Sequence, residues 1–340
     1  MNNINDLHIE KEILPLFDFT LTMLTQKIVL EILKKPLKSK EDILSRQNIF
    51  KGFIENKKVL KDYSYSISYL LEVHHFLNDS KLEDYSNKKM RYTFLISKKE
   101  KTSYKSKLTQ LILLFHRLEF NYFSRLNLDA FPKLYRNKIR EIITFLSALN
   151  LNHLSELHRE YKLKNSHFFK LASKILDAKS KGEILDFWDN LFHFEAYLSI
   201  SNGIERHNFS FPELTDKNIN LVEFYHPLIN NPVTNNFQSS CNVILLNGPN
   251  MSGKSTFLKA VSLCTYFGHL GIGIPAKKGE IPLFTNFSVA INRQDDILNG
   301  YSHFMTEIVN LKKVVKKASN ENKCFAVFDE LFSGGYSRPS

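Results

Sequence analysis

Residues 242–256 read Asn-Val-Ile-Leu-Leu-Asn-Gly-Pro-Asn-Met-Ser-Gly-Lys-Ser-Thr, and a helical-looking run follows from Phe257 to Phe267. Gly248 and Gly253-Lys254-Ser255 stand at the spacing G-x-x-x-x-G-K-[ST]. An apolar run precedes them and an amphipathic run follows, so the stretch predicts strand, loop and helix. The residue types supply the chemistry. Glycines let backbone N–H groups turn inward around phosphate oxygens, and the new helix directs its positive end at them. Lys254 reaches the terminal phosphates and Ser255 offers a hydroxyl to Mg²⁺. The loop of Gly248, Pro249, Asn250, Met251, Ser252, Gly253, Lys254, Ser255 and Thr256 is thus a candidate nucleoside triphosphate site. In a chain of this length the spacing arises by chance on the order of once in a hundred, before the flanking strand and helix are required.

At 340 residues, 43% hydrophobic and 13% aromatic, the chain can build one or two domains with large cores. Its start, Met1-Asn2-Asn3-Ile4-Asn5-Asp6, has neither a basic segment nor an apolar h-region. No apolar run approaches about 18 residues, and together these predict a soluble, cytoplasmic protein without a membrane partner. Cys241, Cys264 and Cys324 form no C-x-x-C pair and sit in apolar runs. They are expected to be buried free thiols, leaving nucleotide-bound Mg²⁺ as the one expected metal. A net charge of +11 suits a polyanion partner, although a Lys- and Asn-rich composition can also reflect genome base composition.

In chain order, apolar residues at Leu21, Leu24, Ile28 and Ile32 predict a helix within 14–33, ended by Pro36. Ser39-Lys40-Glu41-Asp42 looks like a capping box that opens the next helix. Further helical stretches are expected over 57–78, 105–126, 135–150, 152–162, 166–178 and 181–201. Glycine is scarce before residue 203, so the turn signals of a β domain are missing there. Lys88 to Lys107 carries eight basic residues against the single acid Glu100. That run is either a phosphate-contacting surface or a solvated loop. After Asn202-Gly203 the character changes: Ile219–Phe224, Val243–Leu246, Phe287–Ile291 and Cys324–Phe328 are strand-type runs, and their alternation with helices predicts a mainly parallel α/β sheet.

Such a site also needs a carboxylate at the end of a neighbouring strand to organise Mg²⁺, and a base to orient water. Cys324-Phe325-Ala326-Val327-Phe328-Asp329-Glu330 offers both: Asp329 is assigned to the metal and Glu330 to the attacking water.

Here the residues resemble a family. The loop Gly248–Thr256, with its Pro-Asn-Met insert, looks like the nucleotide loop of the MutS DNA mismatch repair family. Asp295-Asp296-Ile297-Leu298-Asn299-Gly300-Tyr301-Ser302-His303-Phe304-Met305-Thr306-Glu307 is similar to that family's D-D-L-x-x-G-x-S-T-F-M-x-E stretch, and Tyr225-His226-Pro227-Leu228 to its R-H-P motif. A fainter resemblance extends upstream through Leu21-Thr22, Pro36-Leu37 and Arg46.

The resemblance implies an ATP- and Mg²⁺-using ABC-type ATPase that binds duplex or branched DNA and works as a homodimer. It implies that Ser302 reaches the partner subunit's γ-phosphate, although Ser302 also suits the N-cap of a helix from Phe304 to Val315. Val233 matches the family's adenine-stacking residue. The expected fold is therefore α + α/β: a helical core and lever region over 1–205, then a P-loop NTPase domain over 206–340.

The chain departs from the family in showing no amino-terminal wedge domain or Phe-x-Glu element, which puts mismatch discrimination in doubt. It also ends in Gly335-Tyr336-Ser337-Arg338-Pro339-Ser340, where the family continues with further strands and dimerising helices, so a truncated product is expected. The rival readings are an ABC-type ATPase of another role, which would carry an L-S-G-G-Q type signature, and a non-catalytic helical scaffold.

Overall fold

The computed structural model describes residues 4–79, 97–239, 241–249, 251–291, 308–309, 311–312, 314–316 and 323–329. It is mixed helical with two small sheets and divides into two compact units. One comprises Met1–Phe19, Val29–Phe50 and Ser199–Ser340, the other Thr20–Ile28 and Lys51–Leu198. The first segments of the chain thus pack with its carboxyl-terminal part. The long helices in order are α1 (Met23–Lys34), α2 (Lys40–Glu55), α3 (Ile67–Asn78), α4 (Lys98–Arg117), α5 (Lys133–Ala148), α6 (Leu151–Arg159), α7 (Asn165–Ser180), α8 (Glu183–Arg206) and α9 (Lys254–Leu270). No described helix is long and apolar enough to cross a membrane.

Local chemistry explains where the helices start and stop. Ser39 accepts from the Asp42 amide at 3.1 Å while its hydroxyl donates to the Asp42 carboxylate at 2.7 Å, so the expected cap opens α2. The single helix expected over 14–33 is interrupted: Leu14–Phe17 is a short turn, and Thr22 starts α1 afresh by accepting from the Thr25 amide at 3.2 Å. The stretch expected over 57–78 is likewise broken after Leu60. Its linking residues are held instead by Tyr122, whose hydroxyl donates to Asp62 O at 2.8 Å and accepts from the Ser64 amide at 3.0 Å. Apolar periodicity marks both helical stretches but cannot register polar groups satisfied by distant partners.

The unit of Thr20–Ile28 and Lys51–Leu198 is helical and aromatic-rich. Phe53, Phe123 and Phe194 meet at 4.8–4.9 Å between ring centroids, and Phe115 and Phe145 flank Phe187 at 5.0 and 4.5 Å. Edge and stacked ring contacts of this kind add to burial by about 0.5–1.5 kcal/mol each. Gly52 is required there, because a Cβ would stand 2.6 Å from the Phe131 ring. Within this core Glu195 accepts from Tyr63 and Thr25 hydroxyls, both at 2.9 Å. Burial pushes its carboxyl up to about 7, against the lowering effect of its hydrogen bonds.

In the other unit β1 (Glu213–Thr215), β4 (Lys278–Pro282), β2 (Asn220–Phe224) and β3 (Asn235–Gln238) form one sheet in the order β1-β4-β2-β3. The first pair is parallel and the other two are antiparallel. A second sheet pairs β5 (Asn286–Ala290) with β6 (Cys324–Phe328) in parallel. The expectation of a mainly parallel sheet is therefore corrected: β2 runs against both its neighbours, and alternation along the chain does not fix strand direction.

The expected strand Val243–Leu246 is also corrected, because it joins no sheet and Leu245 is 92% exposed. Strand preference reflects packing on neighbouring strands, and among the described residues this run has no such neighbours. Cys264 is buried and Cys324 half-buried as free thiols, but Cys241 departs from expectation in being exposed.

Candidate functional site

The site begins where the glycine loop becomes a helix. Gly253 adopts φ 88°, a left-handed conformation that a side chain would strain, and Lys254 is the first residue of α9. Gly248 sits tightly, since a Cβ there would lie 3.2 Å from Ser252 Oγ. The Lys254 ammonium donates to Gly248 O at 2.9 Å and Pro249 O at 2.8 Å, folding its side chain back across the loop. Met251 is fully exposed at φ 66°, and Ser252, Ser255 and Thr256 are exposed as well. One polar face of the loop is thus open to solvent.

Across from it, Asp329 directly follows β6, and its amide donates to Ala290 O at 3.0 Å, extending the β5–β6 ladder by one bond. The Ser255 hydroxyl donates to the Asp329 carboxylate, joining residues 74 positions apart. A hydroxyl and a carboxylate meeting beside a helix N-terminus are hard oxygen donors of the kind Mg²⁺ prefers.

Val233 is 82% exposed in the segment leading into β3. Phe237 of β3 and Phe224 of β2 pack on Phe257 in the first turn of α9, at 5.9 and 5.2 Å between centroids. His226 follows β2; burial, then Lys259 of α9, hold its pKa below the ordinary value against an opposing pull from Glu12. Of the expected residues, Asn250, Ser302 and Glu330 lie outside the described residues. So does 88–96 of the basic run, whose remainder forms the first half of α4.

The far end of α9 carries Tyr266 and His269, which no motif marks, and meets Leu37 and Arg46. Tyr266 donates its hydroxyl to Leu33 O at 2.9 Å, the Leu37 amide donates to His269 O at 2.8 Å, and Arg46 donates to Leu270 O at 3.2 Å. His269 is fully buried, hydrogen-bonded through Nδ1 to Thr265 O, and accepts the Phe284 amide on Nε2 at 2.8 Å. Burial lowers its pKa to about 4, so it is neutral with the proton on Nδ1. A histidine and a tyrosine inside an otherwise apolar helical run were the available signal.

These parts define a class of protein: a mixed helical chain with small sheets, in which a glycine loop heads a helix and a serine of that helix meets a strand-end aspartate. Comparison with known proteins narrows it. The family model MutS domain V matches residues 244–337. The DNA mismatch repair protein MutS of Bacillus subtilis (strain 168) is 30% identical over 138 residues, 38% of this chain and 16% of that protein. The protein of the same description from Bacillus licheniformis is 28% identical over 192 residues, 54% of this chain and 21% of that protein. A Staphylococcus aureus (strain Newman) relative is 30% identical over 145 residues, 40% and 16% respectively. The chain is thus similar to MutS proteins, most clearly over residues 244–337, and its matches span 16–21% of the length of these relatives.

Proposed function

We propose that the chain is a MutS-type ATPase that couples ATP binding and hydrolysis to DNA mismatch repair or related processing of DNA structure. The observation that carries the reading is the Ser255 hydroxyl on the Asp329 carboxylate at the mouth of a glycine loop whose Lys254 lies across it. Lys254 binds the terminal phosphates, and the exposed amides of the first α9 turn complement their charge. Ser255 and Asp329 would hold Mg²⁺ through their hydroxyl and carboxylate oxygens. When bound, the metal neutralises charge on the transferring phosphoryl group.

Glu330, next in sequence to Asp329, orients the attacking water, Ser302 acts on a partner subunit's nucleotide, and Val233 packs on the adenine. The ATPase core is of the ABC-type P-loop class, preceded by a helical core and lever region. The family resemblance implies a homodimeric active form and duplex or branched DNA as the partner, and the net charge of +11 suits such a polyanion.

The test separates binding from chemistry. Glu330→Gln is expected to retain ATP and lose turnover, whereas Asp329→Asn weakens the Mg²⁺ dependence of binding itself, by about tenfold or more. Equal loss of affinity in both variants, with turnover per bound ATP unchanged, contradicts the assigned roles.

A further inference from the structure

The helical unit carries a second feature with the chemistry of a ligand site. Thr102, Lys105, Ser106 and Thr109 are spaced i, i+3, i+4 and i+7 along α4 and so share one face. Together with Tyr161 and Phe168 they line an open groove of about 390 Å³. The Lys105 ammonium stands 5.5 Å above the Phe168 ring centre. The same end of α4 carries Lys98, Lys99, Lys101 and Lys107 against Glu100 alone, so a cationic helix borders an aromatic wall.

Tyr161 is the unusual member. It follows the end of α6, where its amide returns to His158 O at 3.1 Å and the Lys162 amide to Leu157 O at 2.8 Å. That pair of bonds places Tyr161 at the left-handed residue of a helix C-terminal motif that favours glycine or asparagine. Tyr161 has φ 54° and its side chain is 97% exposed. A bulky ring at that position neither relieves the backbone nor fills a core, and strain kept at an exposed site points toward binding.

We propose that this groove takes an unpaired nucleotide of a DNA strand, the base stacking on Tyr161 and the adjoining phosphate contacting Lys105 and the hydroxyl row of α4. The inference rests on the DNA-binding reading above and names a part of the DNA that the helical unit recognises. Aromatic stacking beside a cationic track is how proteins hold single strands, because every base has a π face. A duplex keeps its bases stacked on one another and offers the groove only its phosphates.

The test uses the full chain and three fluorescent or competing probes: a twelve-residue oligothymidylate, a duplex of the same length, and thymidine monophosphate. Tyr161→Asn removes the ring while placing a favoured residue at the left-handed position, so the variant is expected to fold at least as well as the parent. It is expected to lose about 5- to 150-fold in affinity for the single strand, with duplex affinity within about twofold. Lys105→Gln is expected to flatten the single-strand salt slope by about 0.7 in log–log units. Competition by the mononucleotide at concentrations comparable with the strand would assign the groove to free nucleotides and overturn the proposal. A parent that binds duplex, with Tyr161→Asn unchanged toward the single strand, overturns the groove while leaving the DNA reading intact. A parent that binds neither DNA probe overturns both.

Discussion

The two ends of α9 are built on opposite principles. From Ala260 to Leu270 every residue is buried, and the end is fastened by bonds from Tyr266, His269 O and Leu270 O to Leu33, Leu37 and Arg46. From Gly253 to Thr256 the backbone is glycine-led and mostly exposed, and the polar groups pair within the loop or with Asp329. The first arrangement spends apolar area and satisfied carbonyls on fixing an axis. The second leaves hydroxyl, ammonium, carboxylate and amide groups where a phosphate can exchange for their present partners. A helix held firmly at one end can present its other end in a fixed direction without being buried there, and preorganised donors are what recognition of a charged group needs.

That contrast breaks first on stability. Tyr266→Ala removes a fully buried ring that packs on Phe287 at 5.6 Å and strands Leu33 O. It is expected to cost about 3–5 kcal/mol in urea unfolding. A cost near that of a surface substitution would show that the anchored end is not anchored by this residue.

Next in size is a pH effect. His269 has its folded pKa depressed to about 4, so its contribution is present above the unfolded value of about 6.5 and is lost as pH falls from there toward 4. Between pH 7 and pH 5 the parent is expected to lose about 2 kcal/mol from this group. His269→Phe lacks that loss, at the expense of a lower stability at neutral pH because Thr265 O and the Phe284 amide lose their partner. Unfolding titrations at the two pH values decide it: an equal drop in parent and variant contradicts the burial argument.

At the exposed end, Ser255→Ala should change stability by no more than about 1 kcal/mol. Its Mg²⁺-dependent nucleotide affinity should nevertheless fall, because the residue is exposed and its hydroxyl donates to the half-buried Asp329 carboxylate. A large loss of stability with unchanged affinity would reverse the roles given to the two ends.

Much of this site could be read from residue order. The G-x-x-x-x-G-K-S spacing located Gly253 at the head of a helix, and an apolar run ending in acid located Asp329 directly after β6. The Ser39 cap was equally local. What depended on distant partners was not legible. Val243–Leu246 has strand composition but no strand to pair with among the described residues, and β2 turns against its neighbours although the sequence only alternates. Tyr122 fastens residues 62–64 across some sixty positions, and His269 and Tyr266 find backbone partners that no periodicity announces. The departure of Tyr161 from glycine preference is invisible until the helix end is seen.

The central claim is that the exposed end of α9 is a triphosphate site, and the Lys254 ammonium carries it most directly. Equilibrium titration of the chain with a fluorescent ATP analogue, with and without Mg²⁺, should be compared between the parent and Lys254→Ala. Loss of a charge-assisted contact to the terminal phosphates is expected to lower affinity by about tenfold or more in both conditions, with unfolding stability almost unchanged. Equal affinity of parent and variant would contradict the account.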